Sequence, residues 1–169
     1  VAEGAGLIST CVSIRETDLH ILTDRDFSDT AWDLAAGYRL QVEKYIDKMR
    51  LFQTSLVPLK EDVLAPPLIR DMMKAGRSAS VGPMAAVAGA IAEYVGKGLL
   101  GAGAAEVIVE NGGDIYLSRS CDCTVAVFAG ESPLSNRIGI KLNPGMMPTG
   151  VCTSSGTVGH SLSFGAADS

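Results

Sequence analysis

The sequence predicts an α+β layered domain in which helices pack on a mixed or antiparallel sheet. Three observations carry that expectation. A β-branched hairpin pattern lies near the N-terminus, helical apolar periodicity fills much of residues 30–95, and short strand patterns separated by glycine turns follow from residue 106. Strands and helices fall into blocks rather than alternating, which argues against a repeating βαβ chain. Residues 1–169 read as one domain, because this length supports a single core without demanding a second.

Residues 11–15 and 18–23 alternate around Glu16 and Thr17 and read as an antiparallel hairpin. The acidic turn over 24–29 leads into a helix capped by Ser28 or Asp29. In it Trp32, Leu34, Ala35, Tyr38, Val42, Tyr45, Ile46 and Met49 recur at helical spacing as far as residue 50. Pro58, Pro66 and Pro67 interrupt regular structure, and Pro66-Pro67 starts a second helix that carries Leu68, Ile69, Met72 and Met73 and closes at Gly76. The two methionines read as core filling rather than as ligand contacts.

Pro83 suits the first position of a third helix over 84–95, capped by Ser80 or Gly82. Ala85, Ala86, Ala88, Gly89, Ala90 and Ala92 make this helix slim, and its apolar character on all sides predicts burial against a sheet. Small side chains permit that burial within one subunit or against a second, in a homodimer. After a glycine-rich turn over 96–103, strands are expected at 106–110 and 115–118, joined by the tight turn Asn111-Gly112-Gly113-Asp114. Further strands are expected at 124–129, 137–142 and 161–164.

Hydrophobic residues make up 47% and charged residues 20% of the chain, in the range of a globular protein. A net charge of −5 leaves no basic footprint for nucleic acid, and no membrane span is expected because Glu93 and Lys97 interrupt the longest apolar stretch. Cys11, Cys121, Cys123 and Cys152 match neither a CxxC redox pair nor paired zinc-ligand clusters, so the thiols are read as reduced, the protein as cytoplasmic and a metal site as absent.

Chemistry concentrates in three loops. Residues 78–84 precede the slim helix, where free N–H groups and the helix dipole attract anions and Gly82 allows close approach. The turn Asn111-Gly112-Gly113-Asp114 has a plain reading as a hairpin turn needing positive φ. Its functional reading lays a planar ring on the glycine backbone while Asn111 and Asp114 bond the ring edge. The third loop lies in residues 150–165, which put six hydroxyls, one thiol and one of two histidines into sixteen residues. Its plain reading is a serine-rich surface loop. Its functional reading places Thr153, Ser154, Ser155, Gly156 and Thr157 on phosphates and His160 beside them as a donor or acid. A thiol enzyme built on Cys152 and His160 is a separate reading, although Cys152 sits in an apolar context and no third orienting residue is evident.

The segments Val81-Gly82-Pro83-Met84-Ala85-Ala86, Val109-Glu110-Asn111-Gly112-Gly113-Asp114-Ile115 and Gly150-Val151-Cys152-Thr153-Ser154-Ser155-Gly156-Thr157-Val158-Gly159-His160-Ser161 resemble an uncharacterised bacterial and archaeal ApbE-like family. That family is related to FAD:protein FMN transferases, and the resemblance runs over residues 11–167. It implies an ApbE-like domain that binds FAD or a related flavin nucleotide, with FMN transfer to a protein substrate as the associated activity. By motif, Gly82 and Met84 fall in the first site loop, Asn111, Gly112, Gly113 and Asp114 in the second, and Thr153, Ser154, Ser155, Gly156, Thr157 and His160 in the third. The resemblance also implies a C-terminal, magnesium-binding segment beyond Ser169. The transferases carry a lysine where this chain reads Gly82-Pro83-Met84, which favours an alternative reading as a catalytically silent scaffold of the same fold.

Overall fold

A computed structural model describes residues 6–128, 131, 133 and 135–152. Its strands are β1 (Ile8–Ile14), β2 (Thr17–Thr23), β3 (Val107–Asn111), β4 (Asp114–Ser118), β5 (Cys123–Ala126), β6 (Gly139–Leu142) and β7 (Thr149–Val151). Its helices are α1 (Ser28–Lys48), α2 (Arg50–Thr54), α3 (Pro67–Ala79) and α4 (Val87–Gly101), with a 3-10 turn at Pro83–Ala86 ahead of α4. Five strands form one sheet in the order β1-β2-β3-β4-β7, and every neighbouring pair is antiparallel. The α+β expectation holds, and the pairing of this sheet is antiparallel throughout.

Strand alternation divides the apolar residues between two faces, because successive side chains point to opposite sides of a sheet. Val12, Leu19, Ile21, Val107, Val109 and Tyr116 pack with Ala31 and Ala35 of α1 and with Ile91, Ala92, Val95 and Leu99 of α4. On the opposite face Leu22, Ile108, Ile115 and Leu117 pack with Cys123, Val125 and Leu142 of the β5–β6 hairpin. A third cluster joins the helices: Phe52 from α2 and Leu68, Ile69, Met72 and Met73 from α3 are all at most 1% exposed. Met72 and Met73 are therefore core residues, as the spacing predicts.

Several boundaries differ from the sequence reading, each for a local reason. The first hairpin turns at Arg15 and Glu16, one residue earlier than expected, with Arg15 at φ 53°. Arg39 of α1 holds this turn by donating from Nη1 to the Thr17 hydroxyl at 2.9 Å and by pairing with Glu16. Neither Ser28 nor Asp29 caps α1; the cap position is Phe27, and the preceding Asp26 accepts from the Ser28 N–H at 2.9 Å and from the Ser28 hydroxyl.

Gly76 does not end α3, which continues to Ala79 and closes on Ser80 in the left-handed conformation at φ 59°. The glycine is needed for contact instead, since a methyl there would stand 2.9 Å from the Val81 carbonyl oxygen. Gly96, Gly98 and Gly101 likewise form the last turns of α4 rather than a loop. A Cβ on Gly96 would come within 2.3 Å of the Tyr116 ring, and one on Gly98 within 2.7 Å of Leu34. Tertiary contact overrides the weak helix propensity of glycine here, and the slim helix buries Ile91, Ala92, Val95, Gly96 and Leu99 within its own subunit, against the sheet and α1. Strands β5 and β6 are shorter than expected, and β7 adds an edge strand that the sequence reading did not contain. The strand expected at 161–164 lies outside the described residues. Among those described, no helix is long and apolar enough to cross a membrane.

Candidate functional site

The hairpin of β3 and β4 turns through Gly112 and Gly113, at φ 59° and 99°, with Asn111 paired to Asp114 across the turn. Two consecutive positive φ values explain the glycines, because a side chain in that conformation is strained. Gly112 is exposed, and a Cβ on it would find no heavy atom of the described residues within 4 Å.

Both polar ends of the turn reach the start of α4. Asn111 is 7% exposed and donates from Nδ2 to the Ala88 carbonyl oxygen at 3.0 Å. The Asp114 carboxyl lies over Gly89 in the first turn of α4, and the Gly89 backbone N–H bears on it. Gly89 makes room for this, since a methyl there would lie 3.3 Å from Asp114 Oδ2. Burial pushes the Asp114 carboxyl above its ordinary value, and the Gly89 N–H opposes that shift without cancelling it. A half-buried carboxyl with a raised pKa beside an open turn is a functional-site candidate with a physical rationale.

The remaining loops connect to the same end of the sheet. The 3-10 turn carrying Met84 runs directly into α4, and Met84 is half-buried against the helical core. Gly82 is buried, and the space beyond its Cα is filled by Ser55 and Leu56. Its visible role is close packing of two backbones. On the far side, β7 pairs with β4 so that Val151 stands opposite Ile115, next to Asp114, and the exposed Cys152 follows. Thr153, Ser154, Ser155, Gly156, Thr157 and His160 are covalently continuous with that point but lie outside the described residues, as does any pairing of His160 with Cys152.

The sequence reading missed Ala88 and Gly89 as the partners of the turn. Glycine in the first turn of an apolar helix was the available signal, because a side chain there would crowd a carboxylate lying over the helix start. It also gave no role to Glu106, Arg119 and Ser120, which join the opposite, open end of the β3–β4 hairpin. In Cys121-Asp122-Cys123 the carboxylate pairs with Lys141 at 2.9 Å, and among the described residues no three His, Cys, Asp or Glu side chains are grouped to hold a metal ion.

Asp114 supplies a stability prediction. A carboxyl whose folded pKa is raised stabilises the fold in its protonated form. That contribution is complete below the unfolded value and is lost as pH rises through the folded value. Asp114→Asn keeps an acceptor for the Gly89 N–H and removes the desolvated charge. It is expected to stabilise the protein at pH 7 by about 0.5–2 kcal/mol, with the gain vanishing below about pH 4. Urea melts at both pH values check this, and equal stability at pH 7 would mean that the charge carries no burial cost.

An open glycine turn docked through polar side chains on a helix start, carried by an antiparallel sheet with helices on one face, defines an α+β protein with a candidate ligand site at one end of the sheet. The chain belongs to the AbpE bacteria family, whose sequence model matches residues 2–169. It is similar to the UPF0280 protein of Methanococcus aeolicus, at 43% identity over 165 residues that cover 96% of this chain and 66% of the relative. The UPF0280 protein of Methanocaldococcus jannaschii is 42% identical over 160 residues, covering 93% of this chain and 64% of the relative. That of Methanothermobacter thermautotrophicus is 48% identical over 133 residues, covering 79% and 51%. The chain thus spans about two thirds of the length of the first two relatives, and the name they share assigns no activity.

Proposed function

We propose that the protein binds a flavin nucleotide, FAD or a close relative, at the end of the sheet where the Gly112-Gly113 turn meets α4. The observation that supports this reading is the docking of Asn111 and Asp114 onto the first turn of α4 beside an open glycine turn. The likeness of the three loop motifs to those of FAD:protein FMN transferases supplies the ligand class.

In this reading the Gly112-Gly113 backbone passes close to the ring system. Asp114, with its raised pKa, presents a hydrogen-bonding group to the ring edge, and Asn111 holds the turn in place through Ala88. Thr153, Ser154, Ser155, Gly156 and Thr157 bind the phosphates, with His160 beside them as a donor or acid. Gly82 and Met84 support the site from the preceding turn. FAD would bring an isoalloxazine ring and a pyrophosphate. Transfer of FMN to a protein is the further step of the same proposal and rests on magnesium ligands beyond the described residues.

A second reading is a non-catalytic scaffold of the same fold. The chain favours it where Gly82-Pro83-Met84 stands in place of the transferase lysine and where the space beside Gly82 is filled by Ser55.

Calorimetric titration with FAD, with and without magnesium, tests the proposal. Saturable binding is expected, weakened about tenfold or more by Asp114→Ala or Ser155→Ala, as loss of a hydrogen bond in a binding site would produce. No heat of binding under either condition would overturn the flavin reading in favour of the scaffold.

A further inference from the structure

Strand β1 is an edge of the sheet, with β2 as its one strand partner among the described residues. Sheet edges are normally blunted by charge, proline or a bulge, because their free N–H and C=O groups invite another strand. The strand has none of these. It reads Ile8-Ser9-Thr10-Cys11-Val12-Ser13-Ile14, without a charged residue or proline, and it pairs with β2 in unbroken register over all seven residues.

That sequence is close to a palindrome about Cys11. Two copies paired antiparallel around a twofold axis at Cys11 would set Ile8 opposite Ile14, Ser9 opposite Ser13, Thr10 opposite Val12 and Cys11 opposite Cys11. Like meets like at every position except the β-branched pair of Thr10 and Val12. Self-complementarity of this kind is what an isologous twofold interface requires.

A second observation lies in the helix layer. Ser28 of α1 contacts Thr10 of β1 at 3.2 Å, and Arg39 reaches Thr17 past the end of the same strand. Trp32, the chain's one tryptophan, follows Ser28 by one turn on that helical face, and it is 50% exposed. The axis of such a pairing stands perpendicular to the sheet. Both α1 helices, with Trp32 on each, then lie on the same side of it.

We infer that the β1 edge is the interface of a homodimer, in which two five-stranded sheets join through β1 into one continuous sheet. Residues opposite each other in antiparallel strands have Cα atoms about 4.5–5.5 Å apart, within disulfide range. Cys11 is exposed and can report the pairing directly.

Sedimentation of the 169-residue chain over a range of concentrations is expected to show a dimer. S9K/S13K sets two like-charge pairs face to face across the axis and is expected to raise the dissociation constant about tenfold or more. S9E/S13K sets two opposite-charge pairs at the same positions and is expected to restore the dimer. In a C121S/C152S background, mild oxidation should yield a covalent dimer that Cys11→Ser abolishes, and dimer formation should shift the Trp32 emission to the blue. A chain that stays monomeric at every concentration, a dimer indifferent to S9K/S13K, or a crosslink that survives Cys11→Ser would each overturn the assignment.

Discussion

Gly82→Ala is expected to destabilise the protein by about 3 kcal/mol or more, at the upper end of overpacking costs. The backbone of Gly82, at φ −68° and ψ 155°, is in a region open to any residue, so conformational strain does not enter. The cost is steric. An added Cβ would stand 1.7 Å from the Ser55 carbonyl oxygen, 2.7 Å from its carbon and 3.2 Å from Leu56 Cα. These are backbone atoms, and no rotamer change can relieve the overlap. Ser55 is itself tied to α2, its N–H donating to the Leu51 carbonyl oxygen at 2.9 Å, and Phe52 beside it is fully buried. Separating the two segments would therefore open the helical core. At about 2–4 °C per kcal/mol for a chain of this size, the melting temperature should fall by roughly 10 °C. Gly112→Ala is the control. It meets no neighbour and carries only the cost of a side chain at φ 59°, about 1–2 kcal/mol. If Gly82→Ala melted with the wild type, the contact between Gly82 and Ser55 would be refuted.

Glu106→Gln is expected to cost about 1.5–3 kcal/mol at neutral pH, as loss of a hydrogen-bonded charge from a part-buried ion pair does. Arg119 donates to Glu106 Oε2 from Nε at 3.0 Å and from Nη2 at 2.9 Å, and the Arg119 side chain is 7% exposed. The other carboxylate oxygen accepts the Ser120 N–H at 3.2 Å and the Ser120 hydroxyl. The Ser120 hydroxyl, and after it the Arg119 guanidinium, hold the Glu106 carboxyl below its ordinary value against the pull of burial. A depressed pKa stabilises the fold above the unfolded value, and this stability is lost as pH falls through the folded value. The gap between wild type and Glu106→Gln should accordingly narrow in acid, below about pH 4. The double variant E106L/R119M leaves no unpaired charge and should recover most of the loss. Chemical denaturation of the two variants at pH 7 and at about pH 3 measures both effects. A single variant as stable as wild type at pH 7 would show that the pair does not hold the hairpin closed.

Much of this architecture was legible in the sequence because its causes are local. The apolar spacing from Leu34 to Met49 can form only one kind of helix face, and Pro67 fits a helix start and nothing later in a helix. The Asn111-Gly112-Gly113-Asp114 turn was legible for the same reason, since its two positive φ values are demanded within four residues. Of the three candidate loops, the sequence identified the residue types, and tertiary structure shows what two of them touch. Gly82 packs on Ser55, and Asn111 and Asp114 hold the start of α4. Glycines were misread where their reason lay in a contact with another segment. Gly76, Gly96 and Gly98 look like helix breakers in a local window, yet each is inside a helix because Val81, Tyr116 or Leu34 occupies the place of a side chain.

By itself the sequence determined the class of fold, the order of the longer strands and helices, the glycine turn at the candidate site and the family membership. Each of these follows from periodicity, turn chemistry or direct similarity, which are properties of neighbouring residues. Tertiary structure alone decided that the sheet is ordered β1-β2-β3-β4-β7, that α4 packs on the sheet and α1, that Asp114 is buried enough to hold its proton more tightly, and that among the described residues β1 pairs with β2 alone. Those outcomes depend on residues as distant in sequence as Leu19 and Asn111, and they arise when apolar burial brings distant segments to the same place.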